Sequence, residues 1–152
     1  GLLGYAGKMG LVIKSRDDVD RLENIEGEIC MVSHSTMFTD DYRELSEYFK
    51  TRFPNTKVID TICGATKERQ KDVRQLAQDG AQAIIVIGGK HSANTVKLAI
   101  MARRTGLECF HIETLKELDI DSLKKYSVVG VTAGASTPDF LIDEVCKKLE
   151  SL

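Results

Sequence analysis

Gly80-Ala-Gln-Ala83-Ile-Ile-Val-Ile87-Gly88-Gly-Lys-His-Ser92-Ala-Asn-Thr95 is the stretch whose reading decides the fold. Ala83 to Ile87 is apolar without a break, as a strand covered on both faces of a parallel sheet must be. A loop of small and polar residues follows, then an amphipathic stretch to about Arg104 that reads as a helix.

The same unit recurs on either side. Upstream, Lys57 to Ile59 reads as a strand, Asp60 to Thr66 as its loop, and the following stretch to about Gln78 as a helix with Val73, Leu76 and Ala77 inward. Before that, Glu28 to Val32 reads as a strand and Ser33-His-Ser-Thr36 as its loop. A helix then starts near Thr39, with Asp40 and Asp41 in its first turn. Tyr42, Leu45, Tyr48 and Phe49 supply its apolar stripe. At the start, Leu11 to Lys14 reads as a strand and Ser15 as the cap of a helix through Leu22. Downstream, Glu108 to Phe110 and Ser127 to Val131 are further strands. Thr132 to Thr137 leads into a last helix, with Ser136 or Thr137 as its cap and Pro138 at its first position.

Strands alternating with helices predict parallel sheets with helices on both faces. We expect two small three-layer α/β domains, over residues 1–58 and 59–152, with a seam near residues 56–60.

Composition narrows the function classes. The chain has 152 residues, 42% hydrophobic and 29% charged, with a net charge of −2. No basic field exists to draw nucleic acid or an anionic membrane, so neither is an expected partner. The longest apolar run is far too short to span a bilayer, and no signal peptide is legible. Gly1-Leu-Leu-Gly4 lacks an initiator Met and reads as a chain entered partway through. Cysteines at 30, 63, 109 and 146 form no CxxC pair, so neither a disulfide scaffold nor a self-contained zinc site is expected. Reduced thiols in a cytoplasm are the default.

In open α/β sheets, ligands bind beyond the carboxyl ends of the strands. Loops 33–36, 60–66, 88–95 and 132–137 lie at such ends, and all are rich in small or hydroxylated residues. Each opens a helix whose first N–H groups lack internal partners and suit an anion. Each is also simply a good helix cap. No Walker A or GxGxxG signature is present. A helix N-terminus gives an anion up to ~2 kcal/mol, and a hydrogen bond to a charged group ~1.5–3 kcal/mol. Two helix ends with Ser92, Asn94 and Ser136 therefore suffice for a diphosphate at micromolar affinity, which needs ~8 kcal/mol.

Cys30, Cys109 and Cys146 fall in apolar patterns and read as buried structural thiols. Cys63 lies in a loop before a helix start, a position that favours a thiolate as nucleophile or metal ligand. Cluster ligation would need partners from elsewhere. A Cys–His hydrolase with His34 or His91 as base is the rival reading. His111 follows a strand and reads as structural. The carboxylates read as solvated surface, apart from Asp60 beside the Cys63 loop.

Asp60-Thr-Ile-Cys63-Gly-Ala-Thr66-Lys-Glu-Arg69-Gln70 and Val131-Thr-Ala-Gly-Ala-Ser136-Thr-Pro138 resemble two motifs of the 4-hydroxy-3-methylbut-2-enyl diphosphate reductases. Gly88 to Thr95 resembles that family's Asn-Ser-Ser-Asn loop, and Ser33-His-Ser-Thr36 its Gln-Thr-Thr loop. Order and spacing agree over essentially the whole chain. The resemblance implies the second and third of three α/β domains, set trefoil-like around a central [4Fe–4S] cluster. It implies reductive dehydroxylation of the allylic diphosphate to isopentenyl and dimethylallyl diphosphate, with electrons from a donor such as ferredoxin or flavodoxin. Cys63 matches one cluster ligand. Ser35 matches a threonine that assists proton delivery, and Thr36 lies beside it in the substrate loop. Ser92, Ala93, Asn94 and Ser136 match the diphosphate site.

Three departures stand out. His34 replaces a Gln, Ser35 a Thr, and Ala93 a Ser, so Ala93 offers only its backbone N–H. The family's first domain, with two further cluster cysteines, has no counterpart here; Gly1 to Gly4 resembles the stretch just after its His-Pro-Glu motif. The chain alone is therefore expected to be inactive as a reductase, and a non-catalytic phosphate-binding module is the alternative.

Overall fold

The computed structural model describes residues 2–152. The chain divides into two compact units, Gly1–Thr61 and Ile62–Leu152. The division falls after Thr61 because the strand Lys57–Ile59 pairs with Cys30–Val32 and belongs with it.

The first unit opens with α1 (Leu2–Ala6) and a single turn over Gly7–Met9, none of whose residues is buried. The strand expected at Leu11 to Lys14 does not form. Its backbone joins no ladder, and Leu11 and Val12 are 63% and 56% exposed. An apolar run becomes a strand only where a neighbour accepts its N–H and C=O groups. Helix α2 (Arg16–Asp20) starts where expected. Ser15 Oγ accepts from Asp18 N–H at 3.3 Å, and Asp18 Oδ2 accepts from Ser15 N–H at 3.1 Å, a reciprocal capping box.

Strand β1 (Cys30–Val32), helix α3 (Thr39–Arg52) and strand β2 (Lys57–Ile59) form one parallel crossover. Met31, Tyr42, Leu45, Phe49 and Phe53 are buried in this unit, with Val19 of α2. Tyr42 OH donates to the carbonyls of both Met31 and Ile59, at 3.0 and 2.9 Å, so α3 pins the two strands together. Burial, and then the nearby Asp60 charge, push the Tyr42 hydroxyl pKa above its ordinary value. Strand alternation turns Met31 inward and Cys30 and Val32 outward. Cys30 is therefore an exposed thiol, not the buried one its apolar neighbours suggested.

The second unit is built on β3 (Ala83–Ile87), whose five residues are all 0% exposed. It lies between β4 (Glu108–Ile112) and β5 (Val129–Ala133), and both pairings are parallel. Helix α4 (Gly64–Gln78) precedes β3, and α5 (Ala93–Arg104) joins β3 to β4. A turn over Leu115–Glu117 and α6 (Ile120–Leu123) join β4 to β5, and α7 (Asp139–Glu150) follows. Ile85, Ile87, Ile112, Leu118, Leu123, Ala133 and Val145 form a core on one face. On the other face, α4 closes over Gly130, where a Cβ would come within 3.1 Å of Leu76. The inward stripe of α4 differs from expectation. Thr66, Gln70 and Val73 are buried, whereas Leu76 and Ala77 are half-buried. Helix α7 begins one residue later than the sequence suggests, with Pro138 as its cap.

Candidate functional site at the carboxyl edge of the second sheet

Helices that feed or leave a parallel sheet run antiparallel to its strands, so α4, α5 and α7 start at the carboxyl edge of β3, β4 and β5. Arg69 shows this directly, since its Nη1, from the second turn of α4, donates to Ala133 O at the end of β5 at 2.7 Å. Cys63, Ser92 to Asn94 and Ser136 consequently share one edge of one sheet.

Cys63 is the N-cap residue of α4 and its thiol is exposed. Its carbonyl accepts from Lys67 N–H at 3.1 Å, which closes the first helical turn. Within the second unit no hydrogen bond joins Cys63 to His91 or His111 among the described residues. Burial pushes the thiols of Cys109 and Cys146 above their ordinary pKa.

Ser92 caps α5. Its Oγ accepts from Thr95 N–H at 3.4 Å, which leaves the hydroxyl proton free to point outward. Val96 N–H, bonded to Ser92 O at 2.9 Å, makes the first intrahelical bond, so the N–H groups of Ala93 and Asn94 are end-of-helix donors. Asn94 Nδ2 and Thr95 Oγ1 are buried without a hydrogen-bond partner among the described residues. Such orphans are few in natural proteins and call for an explanation.

The loop before α5 is held from β4. His111 Nε2 lies 3.0 Å from Gly88 O, and Gly88 N–H donates to Ile112 O at 2.8 Å. Glu113 Oε1 accepts from Lys90 N–H at 2.7 Å, and the Lys90 ammonium pairs with Glu117. That bond raises the Lys90 pKa and lowers the Glu117 pKa. Lys90 is thus engaged with Glu117, and the edge offers an anion backbone, hydroxyl and amide donors. His111 has the structural role expected of it.

The loop after β5 is tied to the central strand. Gly134 N–H and Thr137 Oγ1 both donate to Ile87 O, at 2.9 and 3.0 Å. Ser136 is exposed at its tip.

Ser35 and Thr36 lie in the first unit, in the loop beyond β1. Thr61 Oγ1 accepts from Ser33 N–H at 2.8 Å and donates to Ser33 O at 2.6 Å, fixing the start of this loop. His34 Nδ1 accepts from Thr36 N–H at 3.3 Å and lies 3.0 Å from Thr36 Oγ1. Ser35 is exposed in that turn. No described group of three or more His, Cys, Asp or Glu could hold a metal ion.

The family model for LytB protein matches residues 1–150. The chain belongs to the LytB family. It is 59% identical over all its 152 residues to a 4-hydroxy-3-methylbut-2-enyl diphosphate reductase from Opitutus terrae, and 38% identical to one from Alkaliphilus oremlandii. It spans about half the length of these relatives, 52% and 54%. Among solved structures, the E-1-hydroxy-2-methyl-but-2-enyl-4-diphosphate reductase from Plasmodium falciparum aligns over 90% of this chain and 44% of its own, with a TM-score of 0.83 at 26% identity. An (E)-4-hydroxy-3-methyl-but-2-enyl diphosphate reductase, described as the terminal enzyme of the non-mevalonate pathway, aligns over 99% of this chain and 53% of its own. The TM-score there is 0.57 at 30% identity.

For this LytB chain, sequence reading names the small polar residues of the strand-end loops and misses contacts that hold those loops in place. Arg69, Thr95, Glu113 and Thr137 act through contacts 3 to 64 positions away in sequence, which periodicity does not show. Only the acidic Glu113 just past a strand end carries a local signal. Among the described residues no helix is long and apolar enough to cross a membrane.

Proposed function

We propose that this chain is the part of a 4-hydroxy-3-methylbut-2-enyl diphosphate reductase that binds the substrate's diphosphate and supplies one cluster thiolate. The carrying observation is the single sheet edge that gathers Cys63, the α5 N-terminus with partnerless Asn94 Nδ2, and the Ser136 loop. The 59% identical relative named as that reductase supports the same reading.

Ser92 donates its hydroxyl proton, Ala93 and Asn94 their backbone N–H groups, Asn94 its amide and Ser136 its hydroxyl to the diphosphate oxygens. Ser35 and Thr36 serve the substrate's hydroxyl end, with Ser35 relaying the proton that leaves with it as water. His34, held through Nδ1 by Thr36, fixes that turn.

Cys63, exposed at a helix N-terminus, would hold one position of the cluster; among the described residues no group of three or more His, Cys, Asp or Glu could hold a metal ion. A [4Fe–4S] cluster, when bound with two further cysteines from outside these residues, supplies the two electrons of the dehydroxylation. Ferredoxin or flavodoxin would deliver them, in a cytoplasmic setting. By itself the chain is an anion-binding module without reductase turnover.

A chimaera tests this, with the chain replacing the matching half of the Opitutus terrae relative. It should turn over 4-hydroxy-3-methylbut-2-enyl diphosphate, and Asn94→Ala and Ser136→Ala should each raise KM about tenfold or more. A folded chimaera without turnover, or turnover by the isolated 152-residue chain, would refute the assignment.

A further inference from the structure

Thr95 occupies the seam between the two loops of the anion edge. It lies in the first turn of the 12-residue helix α5 and is 1% exposed. Its backbone N–H is capped by Ser92, yet its Oγ1 has no hydrogen-bond partner among the described residues. The glycines on either side locate that oxygen. A Cβ on Gly88 would lie 3.1 Å from Thr95 Oγ1. One on Gly134 would lie 3.3 Å from Thr95 Cβ and closer still to Oγ1. The hydroxyl is therefore wedged between the backbones of the 88–92 and 134–137 loops, where no side chain larger than hydrogen fits.

A buried hydroxyl with no partner is destabilising, and a methyl of the same shape would avoid the loss. Asn94 Nδ2, on the adjacent residue, is in the same condition. Two orphan donors side by side, at the end of a helix where the N–H groups point outward, call for one common acceptor.

Building on the diphosphate reading above, we propose that Thr95 is a further anion-site residue, whose hydroxyl donates to an oxygen of the phosphate group held by the α5 N-terminus and the Ser136 loop. Its place in the seam makes it sense both loops at once.

Calorimetric titration of the 152-residue chain with inorganic pyrophosphate tests this, alongside thermal melting. Thr95→Val keeps the shape and removes the donor; Thr95→Ser keeps the donor. The expected result is that Thr95→Val binds pyrophosphate about ten- to a hundredfold more weakly while melting at or above the wild-type temperature, and Thr95→Ser binds within a few fold of wild type. Affinity and melting temperature that fall together in Thr95→Val mark a packing role and overturn the proposal. Unchanged affinity in Thr95→Val, with Asn94→Ala still weakened, overturns it and leaves the diphosphate reading standing. A wild-type chain that binds no pyrophosphate removes the diphosphate reading and this proposal together.

Discussion

Gly88→Ala is the substitution for which the structure gives the most definite magnitude. Gly88 has φ +139°, a region that is strained for any residue with a side chain, at a cost of about 1–3 kcal/mol. The added Cβ would also lie 2.5 Å from Thr137 Oγ1 and 3.2 Å from Thr95 Cγ2. Neither neighbour yields easily. Thr137 Oγ1 is bonded to Ile87 O, and Thr95 is buried in the seam. Overpacking of this kind costs about 1–3 kcal/mol. Together the two effects come to about 2–6 kcal/mol, and for a unit of this size each kcal/mol lowers Tm by about 4–8 °C. Two further glycines separate the effects. Gly106 has φ +85° with nothing within 4 Å of its Cβ, so Gly106→Ala carries the strain alone. Gly64, in the first turn of α4, has open space and an ordinary φ, so Gly64→Ala should be neutral or stabilising by up to about 1 kcal/mol. Melting followed by circular dichroism should rank the variants Gly64→Ala, Gly106→Ala, Gly88→Ala in falling Tm. Gly88→Ala melting within 2 °C of wild type, about a quarter to a half of one kcal/mol, would refute the close loop packing on which the proposed anion site depends.

Other outcomes follow from the same contacts. Mass-spectrometric mapping of iodoacetamide labelling near pH 8 should find Cys63 and Cys30 modified well before Cys109 and Cys146, which burial keeps protonated; equal rates at all sites would contradict the burial pattern. Tyr42→Phe deletes bonds to one carbonyl on each of the two strands and should destabilise the first unit by about 1–3 kcal/mol, read by denaturant unfolding. The Lys90–Glu117 pair contributes from above the ordinary carboxylate pKa up to the ordinary lysine pKa. Its contribution is lost as pH falls through the depressed Glu117 value, or rises through the raised Lys90 value. Glu117→Gln should therefore lose less Tm than wild type between about pH 5 and pH 3, by a small margin for so exposed a pair.

Much of this was legible in the sequence because local signals and tertiary demands agree. The unbroken apolar run of Ala83–Ile87 admits one environment, a central parallel strand, and it has that environment. Ser15 reads as a helix cap, and it caps α2. The failures have physical causes. Leu11 to Lys14 has strand composition, but pairing is a property of neighbours. Cys30 sits among apolar residues, but a strand has two faces and only Met31 points inward. Thr66 and Gln70 are polar, yet helical spacing carries them to the buried side of α4 with Val73. Cys63, Ser92, Asn94 and Ser136 could be singled out as candidates because small polar residues at helix starts are visible in one dimension. Glu113 and Arg69 hold the loops through contacts that exist only once the chain has folded, and Thr95 meets Gly88 and Gly134 only then.

The most direct test is to reconstitute the chimaera with the Opitutus terrae half using iron and sulfide, then read its visible cluster absorbance. Wild-type chimaera should show a stable cluster absorbance, Cys63→Ser should lose most of it, and Cys30→Ser should keep it. Full absorbance in Cys63→Ser, or its loss in Cys30→Ser, would contradict the assignment of Cys63 as this chain's one cluster ligand.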